Sequence, residues 1–186
     1  MPIDRQAATR ALDAFLSALG RDPQREPELV GTAERVALMY ADELLSGYAE
    51  SPSDAVRPHV IEGGSGIVAL HDITVTTVCP HHLMPATGRV DVAFAPSGRI
   101  IGLGAVVKLV EVHAHRLVLQ EQIGERVAST LSDELGARWV ACRLVLEHTC
   151  MSARGERRHG VKVETIAYSG SPADRAEAID IVRGCP

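Results

Sequence analysis

The sequence predicts a single α+β domain, and three observations support this prediction. Helical periodicity near the N-terminus is followed by β-branched runs, then by two helical segments, and then by two more strand-like runs. Strands that are adjacent in sequence usually pair antiparallel, so this order favours α+β over a doubly wound parallel sheet. The chain has 186 residues, 46% of them hydrophobic, which is enough for one substantial core but cramped for two.

Residues 1–58 are expected to form an N-terminal helical region. Apolar residues recur at helical spacing over residues 5–20, and a second helix is expected over 33–46 with Thr32 as its N-cap. Residues 49–58 contain two prolines and are expected to form a loop.

Residues 59–186 are expected to form one compact α+β unit. Strands are predicted at 67–70, 73–78, 88–95, 99–101, 139–147 and 161–168. Helices are predicted at 106–116, 118–135 and, in the tail, 172–182, with Gly136 ending the second of them.

Composition excludes several classes of partner. Aromatic residues make up only 3% of the chain and the net charge is −5, so we expect no nucleic-acid partner. No apolar stretch approaches the ~18 residues of a membrane helix, so we expect no membrane partner. The N-terminus lacks the apolar core of a signal peptide, which predicts a cytoplasmic location.

Two short segments contain the ligand types that zinc prefers, Cys79-Pro-His81-His82 and His148-Thr-Cys150. Cys79 and His82 can share one ion if the chain turns at the proline, and the second segment is the candidate for a third ligand. Because it ends a predicted strand, residues 148 and 150 should project from the same face if the extended geometry persists. Two cysteines and one histidine leave a coordination position open, as in catalytic zinc sites. His81 and His148 would then carry protons.

Other interpretations of these residues exist. The cysteines could simply be buried thiols beside surface histidines, or they could belong to a closed structural zinc site with a fourth ligand. Cys142 lies in an apolar strand-like run and is expected to be a core thiol. Cys185, in the C-terminal tail, is expected to be inert.

Two further groups have the chemistry to bind a nucleotide. Arg154, Arg157 and Arg158 lie within five residues, and guanidinium groups bind phosphate oxygens bidentately. Gln120 and Glu121 could bind the edge of a guanine, with the carboxylate accepting from N1–H and the 2-amino group. The alternatives are a solvated basic turn and an exposed helix surface.

These segments, taken together, resemble the GTP cyclohydrolase I family. The family pattern Cys-Glu-His-His, Ile/Leu-Gly-Leu-Ser-Lys, Gln-Glu-Arg and His-x-Cys-x-x-x-Arg-Gly corresponds here to Cys79-Pro-His-His82, Ile101-Gly-Leu-Gly-Ala105, Gln120-Glu-Gln122 and His148-Thr-Cys-Met-Ser-Ala-Arg-Gly155. Residues 32–37 and 44–47 add to the resemblance, which spans roughly residues 30–182 in matching order.

The resemblance implies the tunnelling fold (T-fold), an antiparallel four-stranded sheet with two helices between its second and third strands. Residues 59–186 would be this catalytic domain. Subunits of this fold join their sheets into a ring, and the family implies a toroidal homodecamer with active sites between subunits.

The resemblance also implies a reaction. Zn²⁺ would be held by Cys79, His82 and Cys150, and water would attack C8 of the guanine of GTP. The imidazole ring would open and release formate, with His81 and His148 moving protons. Ring closure from the ribose would give 7,8-dihydroneopterin triphosphate, a pterin of tetrahydrofolate biosynthesis.

By the same resemblance, Gln120 and Glu121 would hold the guanine, and Arg154 and Lys108 the triphosphate. Lys108 stands where the family has arginine, and a lysine is a weaker match for a fork-shaped contact.

The sequence departs from the family mainly at the phosphate end. Gly104 and Ala105 replace a Ser-Lys pair used at the triphosphate. Pro80 replaces Glu, Gln122 replaces Arg, and His71 stands where many relatives have Arg. An alternative function is therefore that of a divergent paralogue, which would act on a different purine nucleotide or stop at a ring-opened intermediate.

Overall fold

The computed structural model describes residues 3–184 and consists of a four-stranded antiparallel sheet with helices on both faces. Cys185 lies outside the described residues. The strands are β1 (Val60–Glu62), β2 (Val68–Val78), β3 (Pro85–Ala95), β4 (Arg99–Ile101), β5 (Trp139–His148) and β6 (Lys162–Gly170). The α-helices are α1 (Arg5–Ala18), α2 (Thr32–Leu38), α3 (Pro52–Val56), α4 (Leu103–Ala114), α5 (Gln120–Leu135), α6 (Thr149–Ser152) and α7 (Arg175–Val182).

The sheet has the strand order β2-β3-β5-β6, and all its pairs are antiparallel. Helices α4 and α5 lie in sequence between β3 and β5, which are the second and third strands of this sheet. The predicted α+β class is confirmed. Strands β1 and β4 form a separate two-stranded pair.

The predicted runs 67–70 and 73–78 are one strand with an irregularity. Register shifts between Leu70 and Ile73, where Asp72 has a positive φ of 59°. The Asp72 N–H donates to the side chain of Asp91 at 2.8 Å, which satisfies a backbone group that the ladder cannot pair at a bulge. The bulge therefore interrupts β2 without ending it.

The main core lies between the sheet and the helices α4 and α5. Leu109 of α4, Ile123 and Leu131 of α5, and Phe94 and Leu144 of the sheet are almost completely buried there. Burying each such side chain stabilises the fold by about 1.5–3 kcal/mol. The opposite face of the sheet is covered by α7, whose Ala178 and Val182 pack in a second cluster with Trp139.

The second N-terminal helix starts differently from the prediction. Thr32 is its first residue and not its N-cap, because Gly31 occupies the cap position with a φ of 73°. The Thr32 hydroxyl instead accepts from the Arg35 guanidinium at 3.0 Å. Helix α2 continues as a π-helical segment, Met39–Leu44, so helical structure covers most of the predicted range.

The predicted loop at 49–58 is wrong over most of its length, because α3 forms in its centre and 3-10 turns flank α3 at Ser46–Ala49 and Arg57–His59. The Ser51 side chain caps α3 by accepting from the Asp54 N–H, and Val56 is completely buried in the main core. Arg57 then forms a bidentate pair with Glu134 of α5 at 2.9 and 3.2 Å. Proline at the first helical position is compatible with a helix, so prolines alone did not justify a loop.

The later helices agree with the prediction within a few residues at each end. Helix α5 ends at Gly136, which adopts the left-handed conformation with a φ of 58°. The tail forms a 3-10 turn at Pro172–Asp174 followed by α7. Within residues 3–184, no helix combines the length and apolarity needed to cross a membrane.

Candidate metal centre and active site

The turn between β2 and β3 carries the first candidate ligands, Cys79 and His82. The Cys79 N–H donates to the Met84 carbonyl, and the Leu83 N–H donates to the Cys79 carbonyl, both at 2.9 Å. Leu83 has a positive φ of 53°, and its carbonyl accepts from the Tyr40 hydroxyl of the π-helical segment. These bonds fix a tight turn that directs a thiol and an imidazole to the same side.

The third candidate ligand, Cys150, lies in the first turn of α6. The condition under which residues 148 and 150 would project from one face of a strand is not met, because helix α6 begins directly after His148. The Thr149 hydroxyl donates to the Pro85 carbonyl at 2.6 Å and holds this turn against the start of β3. His148 and Cys150 nevertheless line one cavity, which results from the helical turn and not from strand alternation.

The three ligand atoms form a compact group. The Cys79 and Cys150 sulfurs and one ring nitrogen of His82 all lie within 4.8 Å of one another, and Cys79 Sγ is 3.8 Å from His82 Nδ1. In a tetrahedral zinc site, sulfur and nitrogen ligands lie about 3.5–3.8 Å apart, as follows from Zn–S and Zn–N bonds of about 2.3 and 2.0 Å. The donor types and their spacing therefore fit zinc.

The thiols differ in their surroundings. Burial raises the pKa of Cys150, and the neighbouring sulfur of Cys79 raises this pKa further. A bound cation would oppose both effects, because it stabilises the thiolate. Cys142 is completely buried, and this burial raises the pKa of its thiol strongly, in agreement with the predicted core role.

The ligand group opens into a cavity of about 230 Å³. Its lining includes His81 and His148, the two histidines that are not candidate ligands, and Glu121 at the start of α5. The other lining residues are Thr77, Cys79, Pro80, His82, Val118, Leu119, Gln120, Cys150, Met151 and Val163. Seven of the nine predicted site residues therefore meet in one pocket.

The two spare histidines have different environments. His81 is exposed, and its Nδ1 lies 4.0 Å from the Cys79 sulfur. His148 is partly buried, and its Nε2 lies 2.8 Å from the side-chain oxygen of Gln120. Burial lowers the pKa of His148, and the carboxylate of Glu121 partly offsets this decrease.

Gln120 was expected to bind the guanine. In the structure, its side-chain amide has hydrogen-bond partners within the protein. Its side chain is 5% exposed. Its Nε2 lies within hydrogen-bond distance of the Val163 carbonyl (2.9 Å), the Thr165 hydroxyl (3.1 Å) and the Leu144 carbonyl (3.3 Å). Sequence reasoning missed these contacts, since two of the partners are backbone carbonyls that carry no sequence signal.

The two predicted phosphate ligands do not line this cavity. Lys108 of α4 forms an ion pair with Glu50 at 2.7 Å. Arg154 is exposed beyond α6, although its charge is near enough to favour the thiolate of Cys150. Arg157 and Arg158 are exposed in the same connection, and the Arg158 N–H donates to the carbonyl of Met151, which lines the cavity.

The fold and the pocket together define an α+β protein with a candidate metal centre of two cysteines and one histidine. The family model described as GTP cyclohydrolase I matches residues 8–183. The chain is 36% identical over 186 residues to GTP cyclohydrolase 1 of Dehalococcoides mccartyi strain 195, covering 97% of each chain. It is also 36% identical over 183 residues to GTP cyclohydrolase 1 of Bifidobacterium longum NCC 2705, covering 96% of this chain and 91% of the relative.

The chain therefore belongs to the GTP cyclohydrolase I family and is an enzyme of the hydrolase class. Among solved structures, the apo form of the archaeosine synthase QueF-Like matches with a TM-score of 0.47 and 20% identity, covering 59% of this chain and 98% of that chain.

Proposed function

We propose that this enzyme opens the imidazole ring of the guanine of GTP in a zinc-dependent hydrolysis, releases formate and forms 7,8-dihydroneopterin triphosphate. The product would feed tetrahydrofolate biosynthesis. The observation that carries the proposal is the convergence of Cys79, His82 and Cys150 in a cavity that also contains His148 and Glu121. Family membership supports the substrate.

The three ligands would hold the zinc ion, with Cys79 and His82 fixed by the β2–β3 turn and Cys150 by α6. Zinc bound in this way would supply Lewis acidity for the hydrolytic steps. His81 and His148 line the same cavity as the ligands and would move protons of a substrate bound there through their ring nitrogens.

The guanine would be held by Glu121, whose carboxylate can accept from N1–H and the 2-amino group. Gln120 would act beside it, with its own side chain bonded to His148 and the sheet. The cavity of about 230 Å³ is smaller than the ~300–1,000 Å³ of most small-molecule pockets, so we expect the part formed by one chain to suit a base but not a whole nucleotide. The triphosphate would extend outward, toward Arg154 and toward Lys108 of a neighbouring subunit.

We propose the toroidal homodecamer for the assembly, because a pocket completed between subunits agrees with phosphate ligands that lie outside the single-chain cavity. The cytoplasmic location and the division of the chain at residues 58 and 59 remain predictions.

The test is formate release from GTP by the zinc-loaded enzyme. We expect formate in proportion to GTP consumed, and we expect Cys150→Ala to abolish its release. Absence of formate from GTP at every enzyme concentration would reject the proposal.

A second candidate function is the same ring opening on another purine nucleotide. It is favoured by Gly104 and Ala105, since Gly104 faces open space and Ala105 is buried in the main core, so neither position carries a charge for phosphate. Competition between GTP and GDP, GMP or a modified guanine in the formate assay decides between the two candidate functions. A wide preference for GTP would exclude this candidate.

A closed structural zinc site is the other role that the sequence left open for these ligands. Among residues 3–184, the ligand group contains three members and not the four that a closed site needs. X-ray absorption spectroscopy of the zinc-loaded protein would distinguish a closed structural site from an open catalytic one. Four protein ligands without a solvent oxygen would favour the structural role.

A further inference from the structure

The contact between Gln120 and His148 bears on which ring nitrogen carries the hydrogen as well as on the position of the imidazole ring. We propose that Gln120 is a positioning residue that holds the neutral His148 ring in the tautomer with hydrogen on Nε2, leaving Nδ1 as the ring's acceptor for substrate or water. This inference deepens the proposed function, and the role of His148 in it rests on that function. The tautomer itself does not depend on which substrate is used.

The first step is the orientation of the Gln120 amide. Its Nε2 faces three oxygens, those of Val163, Thr165 and Leu144, at 2.9, 3.1 and 3.3 Å. The two carbonyls can only accept, so the group facing them must be the NH₂ and not the oxygen. A flipped amide would direct its oxygen at two carbonyl oxygens in a buried site, which is strongly unfavourable.

The second step follows from this orientation. With both amide hydrogens directed at β5 and β6, the side-chain oxygen of Gln120 is the atom facing His148 Nε2, at 2.8 Å. An amide oxygen only accepts, so Nε2 must donate and therefore carries a hydrogen. In the opposite neutral tautomer, two lone pairs would face each other at this distance.

The third step concerns rigidity. Gln120 is 5% exposed and is the first residue of α5, while its partners belong to adjacent strands of the sheet. Reorienting the amide would break contacts to both β5 and β6. The tautomer of His148 is thus set by the packing of a helix on a sheet, and not by the bound substrate.

The direct test is solid-state ¹⁵N NMR of the zinc-loaded, full-length protein labelled at histidine. The His148 signals are assigned by their loss in His148→Gln. At a pH where the ring is neutral, we expect a protonated, pyrrole-type Nε2 and an unprotonated, pyridine-type Nδ1. A neutral ring with the hydrogen on Nδ1 would overturn the proposal, whether or not GTP proves to be the substrate.

A variant tests the consequence for catalysis. Gln120→Met keeps the length of the side chain and removes the acceptor, so we expect a mixture of His148 tautomers. We expect kcat to fall about 10–100-fold, the typical effect of removing a group that orients a functional histidine, while KM changes less. Glu125→Met, at an exposed position about one turn further along α5 that does not line the cavity, is the control and should change neither the tautomer nor kcat.

A second variant separates the hydrogen bond to His148 from general packing. Thr165→Val removes one partner of the Gln120 amide but leaves both carbonyls, so the amide orientation and the tautomer should persist. If Gln120→Met lowers kcat no more than Thr165→Val does, or leaves the tautomer unchanged, Gln120 is not the positioning residue. If Gln120→Met does not fold, the wild-type NMR spectrum decides.

Discussion

At the scale of single residues, the three cysteines that the structure describes show that the surroundings of a thiol determine which role suits it. Cys142 is enclosed by the main core and has no histidine partner, whereas Cys79 and Cys150 meet beside His82. A thiol in an apolar core stays protonated, while a thiol beside a cation site can be deprotonated and bind metal. Only the second surroundings suit a metal ligand.

This difference predicts the effect of two alanine substitutions on metal content. Cys150→Ala removes one of the three proposed ligands and should lower bound zinc from one per chain to near zero after dialysis, as measured by elemental analysis. Cys142→Ala is the matched control and should retain its zinc, although the small cavity in the core should lower the melting temperature. Full zinc occupancy in Cys150→Ala would contradict the assigned ligand set.

His113 of α4 predicts a loss of stability in acid. It is buried, with one ring nitrogen near the Thr130 hydroxyl at 3.3 Å. Burial lowers its pKa from 6.5 to about 4, and the charges of Arg116 and Arg126 add to this decrease. The unfolded chain therefore binds a proton at a higher pH than the folded chain does, so stability decreases as the pH falls from about 6.5 to 4.

The expected contribution of His113 is on the order of 3 kcal/mol at pH 4, at about 1.4 kcal/mol per pKa unit. Urea unfolding at a series of pH values measures it. His113→Leu should show a smaller decrease in unfolding free energy over this window, whereas the exposed-site control His159→Leu should behave as wild type. Identical pH profiles for His113→Leu and wild type would contradict the assignment.

At the scale of elements, close approach explains why Gly47 is needed. It lies in a 3-10 turn that packs on the end of α4, where its N–H donates to the His115 carbonyl at 3.1 Å. A Cβ at this position would lie 2.3 Å from the Val112 carbonyl oxygen and 2.8 Å from that of His115. Both obstacles are backbone atoms, so the turn itself would have to move.

We therefore expect Gly47→Ala to destabilise the protein by about 1–3 kcal/mol, the usual cost of overpacking. Gly104→Ala is the control, because Gly104 lies in the first turn of α4 with nothing within 4 Å of an added Cβ. It should leave stability unchanged or raise it by up to about 1 kcal/mol, since alanine favours the helix. Thermal unfolding measures both, and equal melting temperatures for the two variants would contradict this account.

The connection after α6 contains the arginine proposed for the triphosphate. Arg154→Ala should raise KM for GTP by about 10–100-fold, because charge-assisted hydrogen bonds contribute about 1.5–3 kcal/mol. Inhibition by inorganic triphosphate should weaken in parallel. The control is Arg175→Ala, an exposed arginine on α7 that does not line the cavity. An unchanged KM in Arg154→Ala would remove it from the phosphate site.

Periodicity predicted the long elements well because their faces are consistently buried or exposed. Helix α5 and strand β5 were found within two residues of the predicted bounds, since each presents a regular apolar face. Short α3 was missed, because five residues are too few to show a helical period and the two prolines of residues 49–58 suggested a loop. Strand β1 was also missed, because three residues are too few to show alternation, and only its pairing with β4 defines it.

At the scale of the whole molecule, the sheet ends in two edges. In the described single chain, β2 and β6 are the outer strands of the order β2-β3-β5-β6, and each pairs with only one other strand. Val78 at the end of β2 also forms an isolated bridge with Leu117. Unpaired strand edges favour association with another chain. They are consistent with the proposed ring, in which neighbouring sheets would join.

The proposed decamer predicts a molar mass about ten times the 19.9 kDa of one chain in light scattering after size exclusion. A site shared between subunits also predicts complementation. When the Cys150→Ala and Lys108→Ala variants are dissociated, mixed and reassembled, formate release should be restored. Some sites then contain Cys150 from a Lys108→Ala chain and Lys108 from a Cys150→Ala chain. A monomeric mass would contradict the assembly, and no restoration would place both residues in the same half-site.

The sequence by itself determined the class of the fold, the order of its long elements and the chemical types of the candidate metal ligands. These properties follow from local periodicity and from ligand preference, which depend on residue type and short spacing. The tertiary structure decided that Cys150 reaches the site through a helical turn and that Gln120 bonds to His148, 28 residues away. Such contacts depend on how α5 packs on the sheet and on backbone carbonyls that every residue shares, and no local pattern in a sequence specifies them.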